Sequence, residues 1–190
     1  SEGADQMAHP YEGELEAFLI NKELHPLSIP QDTRELLIEH AIAREAIRAT
    51  LRTAKPSWYT DRQAVLDDLM PLLDPIVGAG AVLTRAPRPG QAALMLLDAL
   101  EPIGVTTLNL DVYGLIPALG LAALAQPLSA TQAIENNGLL TLGTAIVPIG
   151  RARLGETILG VKISYAGGGD LEVEVAAGTL EVLPLSLGQK

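Results

Sequence analysis

Two hydrophobic rhythms divide this chain. Up to about residue 126 the apolar positions recur mostly at helical spacing, interrupted by two short apolar runs. Beyond that point they alternate with polar ones, as in half-buried strands. Residues 11–23 predict a first helix with Leu15, Phe18 and Leu19 on one face. His25-Pro26 to Ile29-Pro30 ends it, since proline lacks the amide that a helix needs. Asp32 caps a long helix running to about residue 54, with Glu35 three positions on as in a capping box. Leu37, Ile38, Ala41, Ile42, Ile47 and Leu51 form its apolar side. Arg44, Arg48, Arg52 and Lys55 crowd its second half, where the helix dipole favours cations. A third helix is predicted over 60–73, opened by Thr60 and Gln63.

Then comes a short buried strand, Ile76-Val77, running into the glycine turn Gly78-Ala79-Gly80. Pro89 suits a helix start, and residues 91–100 continue it until Pro102 and Gly104 break the pattern. Residues 105–110 read as a second strand, and 113–125 as an apolar helix kinked at Pro117. Strand, helix, strand, helix predicts parallel pairing through crossovers. A short helix over 129–135 and the turn Asn136-Asn137-Gly138 follow. Four strands are then expected, at 139–147, 157–165, 171–175 and 179–183. Residues 166–170 join the middle two as a hairpin, with Leu171, Val173 and Val175 alternating against Glu172 and Glu174. The expected architecture is an α/β part over 1–126, parallel strands with helices, followed by a small antiparallel β domain over 127–190.

Composition narrows the function. Apolar residues make up 48% of the 190, so the chain can bury a core; at 3% aromatic, that core rests on Leu, Ile, Val and Ala. A net charge of −10 argues against nucleic acid, whose phosphates need a basic face. The absence of cysteine excludes disulfides, thiolate metal sites and cysteine nucleophiles. Ser1 to Asp5 is polar and does not read as a secretion signal, and the apolar run at 115–125 is too short to span a bilayer. A cytoplasmic location is the expectation. The lack of an initial Met reads as a partial or processed chain.

Few side chains suggest chemistry. Gly78 and Gly80 allow close backbone approach to a nucleotide, or simply a tight strand-to-helix turn. The third glycine of a dinucleotide fingerprint and the Lys-Ser/Thr of a P-loop are both missing. Asp111 stands at a strand end, where open α/β sheets bind ligands, and equally suits an N-cap. Asp98 and Glu101 share one helical turn, as an acid–base pair or as a solvated face. His9, His25 and His40 lack ligand spacing. Arg85 and Arg88 flank the glycine loop as phosphate grips or solvated arginines; Arg151 and Arg153 offer an interaction patch or a solvated turn. Nothing resembles a nucleophile elbow.

Six stretches together carry a resemblance: residues 36–48 (LLIEHAIAREAIR), 74–83 (DPIVGAGAVL), 94–104 (LMLLDALEPIG), 105–121 (VTTLNLDVYGLIPALGL), 142–150 (LGTAIVPIG) and 180–189 (LEVLPLSLGQ). They resemble the second half of MutL-type proteins of the glutamate mutase group, accessory proteins of adenosylcobalamin-dependent glutamate mutase and not the mismatch-repair proteins of that name. Residues from about Gly138 look like an extension of longer members. The group resembles the actin/Hsp70/sugar-kinase ATPase superfamily, in which two α/β lobes clamp ATP. The resemblance implies an incomplete actin-like lobe here. It implies that Gly78, Gly80 and Ala81 face adenosine, with Ala81 where a further glycine is frequent, and that Arg85 borders the pocket. ATP and Mg are implied for the full-length protein and none for this segment, which has no Asp-x-Gly-x-Gly/Thr hairpin and no implied catalytic residue. A protein partner follows, a cobalamin-dependent mutase by implication, with no nucleic acid and no membrane, and with self-association through an open sheet edge. The competing expectation is a non-enzymatic scaffolding domain whose glycine turn is empty.

Overall fold

The computed structural model describes residues 12–54, 70–165 and 168–183. Helices α1 (Glu12–Leu24) and α2 (Thr33–Ala54) come first. The Asp32 carboxylate accepts the amides of Arg34 and Glu35, each at 2.8 Å, and Glu35 Oε2 accepts the Gln31 amide at 2.7 Å. The start of α2 is therefore satisfied by the acids the sequence placed there. The ion pairs Lys22–Glu39 and Arg34–Glu14 link α1 to α2.

Strand β1 (Ile76–Gly78) leads through α3 (Ala81–Thr84) and α4 (Pro89–Leu100) to β2 (Gly104–Leu110). The two strands pair in parallel, with Ile76 opposite Leu108 and Gly78 opposite Leu110, as the alternation of elements predicts. The core lies between this pair and α4. Leu83, Ala92, Met95, Leu96 and Leu110 are all buried there, and Ile47 brings α2 against them. Arg44 and Arg48 fix that contact: Arg44 pairs with Asp98 at 2.7 Å, and Arg48 donates twice to the Asp98 carbonyl, at 3.1 and 2.6 Å.

Past β2 come α5 (Leu115–Ala125), α6 (Pro127–Ala133) and a π-helical turn (Ile134–Gly138). Pro117 sits in the first turn of α5, where its missing amide would have had no helical partner, and the helix continues to Ala125. Strand β3 (Leu140–Val147) then returns antiparallel to β2, with a bulge at Leu108/Asn109. The expected first strand of the extension is thus the third strand of a mixed sheet ordered β1-β2-β3, and its Leu142 packs on the core. β4 (Thr157–Ser164) and β5 (Asp170–Ala176) form a separate antiparallel pair. Leu159–Val175, Val161–Val173 and Ile163–Leu171 stand opposite one another in it, while Lys162 pairs with Asp170 and Glu172.

Two expected elements differ. Of the helix over 60–73, residues 60–69 lie outside the described residues, and Met70 to Leu73 are not helical. Pro71 disfavours a helix there, and the Leu73 carbonyl accepts the Thr106 hydroxyl at 2.6 Å. The strand at 179–183 is absent as well. The chain turns at Gly178 (φ 86°), and both the amide and the hydroxyl of Thr179 donate back to the Ala176 carbonyl. The fold is a mixed α/β arrangement with one mixed sheet and one antiparallel sheet.

Candidate functional site

The glycine turn and Asp111 meet at the carboxyl ends of the parallel strands. The Gly78 carbonyl accepts the Asp111 amide at 2.9 Å, closing the two strand ends on each other. This is the edge at which open α/β sheets take ligands.

The two glycines have different reasons to be glycine. Gly78 is buried; a Cβ there would stand 3.0 Å from a Leu110 methyl and 3.2 Å from methyls of Leu83 and Leu96. It is small because the core is full. Gly80 has φ 92° and ψ 155°, a backbone region essentially reserved for glycine, and open space lies where its side chain would be. Ala81 is exposed at the start of α3. The Gly80 carbonyl accepts both the amide and the hydroxyl of Thr84, each at 3.0 Å, and Arg85, exposed, closes the turn by donating its amide to Ala81. Gly78, Gly80 and Ala81 therefore lie together beside Asp111, with Arg85 one helical turn away.

Asp111 is a cap. Its two carboxylate oxygens accept the amides of Leu115 at 2.7 Å and Ile116 at 2.9 Å, and it is buried. These amides, Ile116 first, hold its pKa below the usual 3.8 against the opposing effect of burial. A carboxylate so engaged is structural, and it anchors the entry to α5 through Gly114, which is left-handed (φ 66°).

The remaining candidates do not converge. Asp98 is tied to Arg44, and Glu101 ends α4 in a left-handed conformation (φ 47°). The Arg88 amide donates to Gln91 Oε1 at 3.0 Å, a helix-start contact. Arg151 and Arg153 are exposed in the loop before β4, where the Arg153 amide donates to Glu156. His9 lies outside the described residues, and His25 follows α1 in a turn. His40 is buried on α2, and its Nε2 has no hydrogen-bond partner among the described residues. Among the described residues no group of His, Asp and Glu could hold a metal ion, and no helix is long and apolar enough to cross a membrane.

One surface escaped sequence reasoning. An apolar groove of about 690 Å³ lies along α1 and α2, walled by Leu15, Leu19, Leu37, Ile38 and Ile42 with Arg34 and Glu45 at its rim. Its signal was the width of the apolar stripe on α2, which covers more surface than the α4 contact uses. An open sheet edge was expected; among the described residues its long side falls on β3, a place that only the strand order reveals.

Fold and site together define a mixed α/β protein with an open glycine turn at the carboxyl end of a parallel strand pair. The family model described as MutL protein matches residues 2–137, and the chain belongs to that family, the MutL-type proteins of the glutamate mutase group. The match ends just before Gly138, where the sequence places the start of the extension. No curated protein and no solved structure matches the chain.

Proposed function

We propose that this chain is the nucleotide-facing part of an accessory protein that maintains a cobalamin-dependent mutase, built on an incomplete actin-like ATPase lobe. Membership of the MutL family carries the accessory role. The open, glycine-only backbone at Gly80 supports the nucleotide part of the reading, because adenosine needs a wall without side chains. Gly80 and Ala81 would line that wall, Gly78 would let it pack down on the core, and Arg85 would border it. The phosphate and metal half of an ATP site is a different matter. The carboxylate beside the turn, Asp111, is spent on α5, so Mg-phosphate would need groups that the described residues do not supply. Bound ATP would supply phosphoryl-transfer chemistry; this chain's own part is to seat the base and sugar.

The test is calorimetric titration of the intact protein with Mg-ATP, wild type against Ala81→Leu and Arg85→Ala. Both positions are exposed and neither substitution strains the backbone, unlike any change at Gly80. At least about tenfold weaker binding in Ala81→Leu, equivalent to about 1.4 kcal/mol, is the expected result. Equal affinity in all three removes the nucleotide assignment.

One observation favours a second reading, a protein-binding scaffold with no nucleotide site. Helix α5 has no charged residue and no buried one, and Leu121 and Leu124 are 72% and 85% exposed. A helix apolar on every side ordinarily belongs in an interior. Absence of any ATP binding by the intact protein, with a mutase still captured, would decide for this reading.

A further inference from the structure

We infer that β3 is a self-association edge, where a second copy of this chain adds its own β3 antiparallel to form a continuous sheet β1-β2-β3-β3′-β2′-β1′. Among the described residues β3 ends the mixed sheet, so one side of its backbone has no strand partner. It is eight residues long, and Leu142 anchors it on the core. A rigid template of that length is what strand addition needs.

The rest of the molecule guards its edges in familiar ways. β1 is three residues long and preceded by Pro75. β5 carries Asp170, Glu172 and Glu174, and β4 carries Lys162. Short length, proline and charge each discourage pairing between chains. β3 has none of these three; its one irregularity is the bulge at Leu142, where the ladder to β2 shifts register. From Asn136 through Gly150 no residue is charged, in a chain whose net charge is −10.

That neutrality selects the occupant. Two copies of so acidic a chain repel wherever their acids meet, and the neutral run is where they can approach. An acidic or basic partner strand would find nothing complementary on β3. A neutral, branched strand fits, and the exposed strand of that kind among the described residues is β3 itself. Antiparallel addition of like to like generates a two-fold axis and a closed dimer.

Sedimentation velocity of the full chain across concentration tests this, with Thr144→Lys and Ile146→Lys on β3 and Leu124→Lys on α5 as control. All three positions are exposed. The expected result is a dimer in the wild type and in Leu124→Lys, with association at least about tenfold weaker in the β3 variants, because each copy would bring a like charge to an otherwise neutral seam. A wild type that stays monomeric overturns the inference, as do β3 variants that dimerise normally and a dimer lost equally in Leu124→Lys. Hydrogen exchange of the wild type needs no variant: amides within 140–147 should gain protection as concentration rises. Protection independent of concentration refutes the pairing. None of these readouts depends on ATP.

Discussion

Gly80 and Gly78 separate two meanings of the same residue type. At Gly80 the surrounding space is open and the backbone is the constraint, so Gly80→Ala should cost about 1–3 kcal/mol through strain alone. At Gly78 the backbone is ordinary strand and the space is the constraint. Gly78→Val should therefore cost about 1–3 kcal/mol through overpacking, while Gly78→Ala costs less because the nearest atoms are leucine methyls that can rotate away. Urea unfolding of the three variants measures both effects. Two buried groups contribute to the acid response. Burial lowers the pKa of His40 from its ordinary 6.5, and Arg44 adds to this while Glu39 opposes it. The unfolded chain then takes up that proton more readily, so the contribution of neutral His40 is complete above about pH 6.5 and fades as pH falls through the lowered value. Asp111 is also depressed, so its contribution is complete above about pH 4 and is lost as acid protonates it. Thermal melts should show a flatter profile between pH 7 and 5 in His40→Leu. They should show Asp111→Ala melting below wild type at pH 7, with the gap closing toward pH 2. A parallel offset at every pH would mean that neither charge matters.

The helix pair α2–α4 is where the sequence's arginine cluster finds its use. The Arg44–Asp98 pair is substantially exposed, so Asp98→Ala should cost less than about 1 kcal/mol. Arg48→Ala should cost more, because its two bonds go to a main-chain carbonyl near the C-terminus of α4, the negative end of the helix dipole. Urea unfolding that ranks Asp98→Ala as the worse variant would contradict this. Much of this layer was legible in advance: α2 from its capping box, both parallel strands from short apolar runs bounded by turn residues, and the β4–β5 hairpin from alternation around Gly167-Gly168-Gly169. The helix cap at Asp111 was one of two readings its position allowed. What alternation could not reveal was allegiance. It marks Leu140–Val147 as a half-buried strand without saying which strand it joins, because the partner, β2, lies some thirty residues earlier. Residues 179–183 carry a similar alternation, in Leu180 and Val182, yet have no strand partner. The different backbone needs of Gly78 and Gly80 were equally out of reach, since they depend on packing and on φ.

The family match stops at residue 137, but the sheet does not. β2 is the middle strand and is mostly buried, bonded to β1 on one side and β3 on the other. Cutting the chain at Asn137 would remove β3, strip Leu142 from the core, and leave seven uncharged residues of β2 as an open edge. Such an edge is a template for aggregation. Cutting after Gly150 keeps all three strands and removes the second sheet, whose strands, among the described residues, bond to each other and not to the first. The shorter chain should therefore elute as aggregate and lack a cooperative melt, while the 1–150 chain should melt in one transition close to that of the full chain. Chromatography and calorimetry of the two truncations decide the matter. If the 1–137 chain melts as the full chain does, β3 is dispensable and the division at residue 126 holds physically as well as in the sequence. If only the 1–150 chain does, the folding unit of this MutL-type protein extends past the matched region by one strand, and the hairpin beyond is a separable addition.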